Sequence, residues 1–298
     1  MKQPFAYRYL PAELAERLRN HEITVRRPVH GPLKGQHRSP HFGSSVEFAE
    51  YRAYAAGDPI NLIDWAVYAR SDRYMIRRFH EETNLRAYVM LDTSESLAFQ
   101  DEGTAPKMEY ASFLASGLMY TLVNQGDGVA LMTFDDRIRK TYEPVASFEG
   151  LRPMLLGIEE VKPSGRSDIE AAIHEASGLI RSRSLVVIVS DLLQDPARVG
   201  RGIRHLYHDG HNIMVLHVLD RGEMRLSLGG VAELRELETG RRLVIELDEV
   251  REAYGEAVGR YLTELRATCA ECLADYHLMD TRVPIEEAFS ALQGRRAG

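Results

Sequence analysis

Tyr88-Val89-Met90-Leu91-Asp92-Thr93-Ser94-Glu95-Ser96 is the stretch from which the rest of the chain is best read. A short run of apolar residues ending on an aspartate fits a parallel strand buried on both faces, opening at its carboxyl end into a loop. Similar runs occur at residues 129–134, 185–189 and 213–219. Between them, Met108, Ala111, Leu114, Leu118 and Leu122, and later Ile169, Ala172, Ile173, Ala176 and Ile180, recur at helical spacing with one apolar face. Strands alternating with such helices form right-handed βα units, so an α/β fold with a doubly wound, mainly parallel sheet is predicted.

Downstream, residues 224–246 read as a β-hairpin excursion, with turn signals at Gly229-Gly230 and Thr239-Gly240. A long helix is expected from about residue 249 to 274, a last strand over 276–279 and a closing helix over 284–293. Upstream, residues 11–20 form a short helix with Leu14 and Leu18 on one face, and the Gly/His/Pro/Ser-rich stretch 31–45 is loop. Residues 46–85 are polar, aromatic and Arg-rich with no clean period. The expected division is an N-terminal extension, 1–85, packed on an α/β domain, 86–298.

Composition sets outer bounds. The chain has 298 residues, 44% apolar and 27% charged, enough to bury a proper core. No run of about 18 apolar residues occurs, so no membrane span is expected, and residues 1–10 lack a secretory h-region. Two cysteines fit a reducing compartment, and a cytoplasmic protein is expected. Residues 1–45 carry a net charge of +5 and the remainder −12, a basic arm on an acidic body. With no aromatic-interleaved basic patch, nucleic acid is not expected as a partner.

In a doubly wound sheet the loops at the carboxyl ends of the strands carry the chemistry. Asp92, Ser94 and Ser96 place one carboxylate and two hydroxyls on alternate residues of such a loop. Mg2+ takes hard oxygen ligands at about 2.0–2.1 Å and keeps some waters, so this donor set suits it. The alternative is a Ser-rich helix N-cap, a position these residue types favour. Ser167, in Gly165-Arg166-Ser167-Asp168 ahead of a helix, offers another hydroxyl, and Asp191, closing the apolar strand 185–189, a second carboxylate.

This set resembles the metal-ion-dependent adhesion site of von Willebrand factor A domains, a Rossmann-like fold. The resemblance implies that Asp92, Ser94 and Ser96 are first-loop ligands, that Ser167 stands where the family usually has Thr, and that Asp191 acts through water or at longer range. It also implies Mg2+, or Mn2+ or Ca2+ in its place, and a protein partner whose acidic residue completes the ion.

The segment Arg52-x-Tyr54-x-x-Gly57-Asp58-Pro59-x-x-x-Ile63-Asp64-Trp65-x-x-x-Ala69-Arg70, with Gly43, Glu47, Phe48, Phe79 and Glu82, is similar to the hallmark of a bacterial family known as domain of unknown function 58. That family joins the signature to a von Willebrand A-like domain. Its members commonly occur alongside MoxR-type AAA ATPases, which implies an adaptor acting with such an ATPase in assembling or remodelling other proteins. Arg17, Arg19, Arg26 and Arg27 of the basic arm would add attraction to an acidic partner surface. Within the signature, Arg52 or Arg70 is expected to hold Asp58 or Asp64 in a packed polar network that includes Trp65.

Other candidates are weaker. Cys269 and Cys272 share an apolar helix face with Tyr261 and Leu265 and have no second pair, so they are read as core rather than zinc ligands. His217, inside a strand, is read as a satisfied core residue. There is no G-x-S-x-G elbow, Walker A loop or H-E-x-x-H, and no enzyme activity is expected. Two alternatives stay open: a metal-dependent hydrolase on the same Asp92 and Asp191, with Glu95 or Asp168 as its base, and a structural subunit with a vacant site.

Overall fold

The computed structural model describes residues 7–23, 47–55, 63–80, 85–101, 104–226, 229–238 and 240–292. The chain divides into two compact units, Met1–His30 with Leu85–Gly298, and Gly31–Asn84. The described residues 7–23 therefore group with the sheet and not with the signature segment, unlike the single 1–85 extension expected. The reason is apolar: helix α1 (Ala12–Leu18) buries Leu14 and Leu18 in the same core as the sheet. Two of the arm's arginines are engaged locally, Arg17 with Glu286 at 3.3 Å and Arg19 with Glu16 at 3.4 Å. Arg26 and Arg27 lie outside the described residues.

In the smaller unit, β1 (Glu47–Ala53) pairs antiparallel with β2 (Met75–His80), and α2 (Trp65–Ser71) lies between them in sequence. Asp64 of the signature is buried. It caps α2 by accepting from the Ala66 and Val67 amides at 3.0 and 3.2 Å, and it accepts from the Tyr51 hydroxyl at 3.0 Å. Arg70 donates from Nε to the Ala66 carbonyl, while Asp58 and the Arg52 side chain lie outside the described residues. Trp65 is 55% exposed, so the expectation of a packed ring is wrong. As the first residue of a short helix, it meets the edge of Tyr68, with ring centroids 6.1 Å apart.

The larger unit is built on six strands: β3 (Arg86–Asp92), β4 (Gly128–Phe134), β5 (Ile138–Val145), β6 (Leu185–Ser190), β7 (Asn212–Leu219) and, near the chain end, Asp275–Asp280. Between β7 and that last strand run a short helix, Arg221–Met224, a hairpin of β8 (Val231–Arg235) and β9 (Arg242–Glu246), and the long helix Leu247–Glu271. With the last strand as β10, the spatial order is β10-β7-β6-β3-β4-β5, and only β5 is antiparallel. The chain leaves β3 toward β4 and β5, then returns to the other flank of β3 through β6, β7 and β10. The switch point thus falls between the carboxyl ends of β3 and β6, where such sheets open a crevice.

Strand side chains alternate between two cores. Ala87, Val89 and Leu91 join the core under α1, α3 (Lys107–Asn124), α4 (Phe148–Glu159) and the closing helix Ile285–Leu292. Tyr88 and Met90 join the opposite core, under α5 (Ile169–Leu179), α6 (Pro196–His208) and the long helix Leu247–Glu271. Numbered in chain order, Arg221–Met224 is α7, the long helix α8 and the closing helix α9. Cys269 and Cys272 are buried in the second core, and burial pushes the Cys269 thiol up to about 12. Among the described residues no helix is long and apolar enough to cross a membrane.

Candidate functional site

Backbone hydrogen bonds gather three loops around the end of β3. The Thr93 amide donates to the Phe134 carbonyl at 2.7 Å, which ties the β3 loop to the end of β4. Ser164 donates to the Thr93 carbonyl and Glu95 to the Gly165 carbonyl, at 2.9 and 3.0 Å, which draws in the loop ahead of α5. Gly165 makes that turn at φ +79°, where a side chain is strained, and a Cβ there would stand 3.2 Å from Asp135 Oδ2. Ser167 is delivered by this loop.

Asp92 sits at the centre and is fully buried. Its Oδ1 accepts from the Ser94 amide at 2.9 Å, and its Oδ2 from the Ser167 and Ser190 hydroxyls at 3.1 and 2.6 Å. Ser94 stands at the N-cap of the 3-10 turn Glu95–Ala98, yet its hydroxyl makes no capping bond and meets Ser96 Oγ at 3.1 Å. Asp92, Ser94, Ser96 and Ser167 therefore form one connected set. Burial, and next the nearby Asp191 carboxylate, push the Asp92 carboxyl up to about 7, against hydrogen bonds from Ser190 and Ser94. Among the described residues no Lys, Arg or His forms an ion pair with it.

Asp191 is turned elsewhere. The end of β6 splits its two polar residues: Ser190 reaches Asp92, while Asp191 Oδ2 accepts from Lys107 Nζ at 2.7 Å. Lys107 also donates to Glu223 Oε1 at 2.6 Å, and its Nζ lies 5.7 Å from the centre of the Phe99 ring. Both Lys107 and Asp191 are essentially inaccessible to water. Burial alone would pull the ammonium down, but Asp191 and Glu223 outweigh it and hold Lys107 above its ordinary value. The backbone leaves Asp191 through Leu192 at φ +49°, a left-handed conformation costly for leucine. Of the residues singled out in the sequence, Asp191 is thus near the set but committed to a lysine. Ser190, Lys107 and Glu223 complete the picture and had been given no role.

Three further groups border the site. The Ser167 amide donates to Glu238 Oε1 at 3.2 Å, from the turn between β8 and β9. Asp168 caps α5 through the Ala171 amide at 3.2 Å and accepts from Arg198 at 2.7 Å. His217 is the satisfied core residue expected, with Nε2 2.8 Å from the Asp191 carbonyl and Nδ1 2.6 Å from the Tyr276 hydroxyl. Burial pushes it down to about 4, so it is neutral at ordinary pH.

The donor chemistry fits a hard divalent cation. One buried carboxylate, with no cationic partner among the described residues, accepts from the Ser167 and Ser190 hydroxyls, and the linked Ser94 and Ser96 hydroxyls lie on the same loop. Among the described residues no group of three or more His, Cys, Asp or Glu side chains converges as a metal site, so an ion here would rely on Asp92 and hydroxyl oxygens.

The "Uncharacterized protein Rv1480" of Mycobacterium tuberculosis is 27% identical over 266 residues, covering 87% of this chain and 82% of the relative. Among solved structures, the conserved hypothetical protein BatB from Bacteroides thetaiotaomicron is similar at 17% identity and TM-score 0.45, over 70% of this chain and 96% of that one. The SpRpn10 VWA domain is similar at 12% identity and TM-score 0.42, over 72% of this chain and all (100%) of that one. The family described as "Protein of unknown function DUF58" matches residues 50–263, well over half of the sequence, and the chain belongs to that family.

Proposed function

We propose that this protein is a non-enzymatic, metal-dependent protein-interaction module of von Willebrand factor A-like fold. Asp92, Ser94, Ser96 and Ser167 would hold Mg2+, or Mn2+ or Ca2+ in its place, and a partner would present an acidic side chain to it. The partner in this reading is a MoxR-type AAA ATPase, with the protein as adaptor between it and a client. The observation that supports the reading is the fully buried Asp92 carboxylate at the switch point, which accepts from the Ser167 and Ser190 hydroxyls and has no cationic partner among the described residues. A bound divalent ion would supply a Lewis-acidic position for an outside carboxylate. The chain's own part is to fix the oxygens: Ser94 and Ser96 through the β3 loop, Ser167 through the loop that Gly165 turns. A hydrolase would need a free base near that position. Asp168, one of the two carboxylates adjacent in sequence, is committed to a helix cap and to Arg198.

Titration calorimetry with Mn2+ tests the site, and capture of the ATPase with and without chelator tests its use. Expected are one saturable site in the wild type, none in Asp92→Asn, and capture that the chelator abolishes. Equal Mn2+ binding by both proteins would refute the site, and chelator-insensitive capture would refute its role.

A further inference from the structure

The hairpin of β8 and β9 is an unusual part of this unit. Val231, Leu243 and Val244 are largely exposed, so the hairpin is not seated in either core. Beneath it lies a cavity of about 1000 Å3 lined by Phe99, Glu223, Leu234, Leu243, Leu247 and Tyr254. The base is fixed where Leu247 donates to the Gly230 carbonyl and Gly230 to Asp248 Oδ2, both at 2.9 Å. The tip is closed by its own turn, with Glu236 and Gly240 donating to the carbonyls of Arg241 and Glu236. From that tip one carboxylate, Glu238, reaches back to the Ser167 amide, on the residue whose hydroxyl bonds Asp92. A ribbon over a cavity, anchored at its base and touching the site through one acid at its tip, can lift without unpacking a core.

We infer that Glu238 is a built-in occupant of the site's acidic position, carried on a liftable hairpin, which a partner's carboxylate must displace. The inference rests on the metal-site reading above and adds a ligand position contributed by the chain itself. Its chemical logic is substitution of like for like, since the group at the site is the same functional group that an outside partner would bring. The partner surface that fits is therefore an acidic side chain on a segment able to take the hairpin's place beside Ser167. In its absence the site stays covered, and adventitious carboxylates are held off.

The test uses the full chain with Mn2+ as probe, comparing wild type, Glu238→Ala and, as control, Glu233→Gln. Glu233 is a carboxylate of the same hairpin that pairs with Arg242 at 3.1 Å. Water-proton relaxation by bound Mn2+ reports how many waters share its shell, and amide exchange at Ser167 reports the contact without metal. Glu238→Ala is expected to raise the relaxation toward about twofold as water takes the vacated position of a six-coordinate shell. It should also speed Ser167 exchange about fivefold, the loss of one ordinary hydrogen bond, and Glu233→Gln should do neither. Mn2+ binding only to Glu238→Ala would support the inference in stronger form. Mn2+ bound with equal relaxation in wild type and Glu238→Ala would overturn the inference and leave the metal site standing. Mn2+ bound by none of the three would overturn both, and Ser167 exchange would then show Glu238 as a structural contact only.

Discussion

Lys107→Met removes a single charge from the most deeply buried ion cluster among the described residues while keeping most of the side chain's length and its apolar stem. The ammonium contacts Asp191 at 2.7 Å and Glu223 at 2.6 Å, with side-chain exposures of 0% for the lysine and 1% and 15% for the acids. Removing one partner of a buried ion pair costs about 3–5 kcal/mol, because the remaining charge is stranded away from water. Glu223 is partly open and can recover hydration, whereas Asp191 cannot, so about 3 kcal/mol is expected. At roughly 2–4 °C per kcal/mol for a domain of this size, the thermal midpoint falls by about 10 °C. Urea denaturation followed by circular dichroism measures the loss, and the double variant Lys107→Met/Asp191→Asn locates it. Neutralising Asp191 removes the stranded charge, so the double variant should recover about 2 kcal/mol and show strong coupling in the cycle. A loss below about 1 kcal/mol, the size of an exposed surface pair, would refute the claim that this cluster is dry and mutually dependent.

Asp92→Asn should keep the fold while abolishing Mn2+ binding, measured by calorimetry, since asparagine still offers an acceptor to the Ser94 amide; Ala would strand that amide and is the poorer probe. Two buried groups should give the metal-free protein opposing pH dependences. His217, pushed down from 6.5 to about 4, contributes stability that is lost as pH falls through that window, about 3 kcal/mol. Asp92, pushed up from 3.8 to about 7, contributes a penalty that grows as pH rises through that range, about 4 kcal/mol. The wild-type profile should therefore be shallow between about pH 4 and 6.5. His217→Gln should lose stability as pH rises there and Asp92→Asn should gain it; parallel profiles for all three would contradict the assignment. Trp65→Ala should shift the thermal midpoint by no more than about 0.5 kcal/mol's worth, because the ring is exposed. A large drop on melting would show that the ring is covered in solution.

The central strands were readable because a parallel strand covered on both faces is mostly apolar, and β3, β4, β6 and β7 are, apart from their end residues and the buried Thr133 and His217. The edge strand β5, Ile138–Val145, was not: Arg139, Lys140 and Glu143 face solvent, so no apolar run marks it. Helix α6 was missed for a related reason. Its buried Val199, Ile203 and Leu206 have helical spacing, but Gly200 and Gly202 lower the helical propensity of the stretch. In fact a Cβ at Gly202 would lie 2.8 Å from Ile173 Cδ1, so the glycine admits close packing of α6 on α5. Helix α4 carries Pro153 in its interior, which masks its apolar face.

At the site, Asp92, Ser94 and Ser96 were legible because one loop holds them all, and Ser167 because it precedes a helix. Glu238 and Ser190 reach the site only through tertiary folding, and no local pattern announces them. Lys107 did leave a signal. It is the first residue of α3, where the helix dipole opposes a cation, and a lysine at such a position invites the question of which carboxylates hold it.

That lysine has an electrical consequence for recognition. By tying Asp191 into its own pair, it leaves Asp92 as the one carboxylate that, among the described residues, bonds the Ser167 and Ser190 hydroxyls. A doubly charged ion seated there would be only half neutralised by Asp92, leaving one carboxylate position, for which Glu238 and an incoming acid would compete. Were both aspartates free, they alone would neutralise the ion, and neither Glu238 nor an incoming acid would have a place to compete for. Lys107 thus sets the valence of the site, fixing how many carboxylates it can still accept.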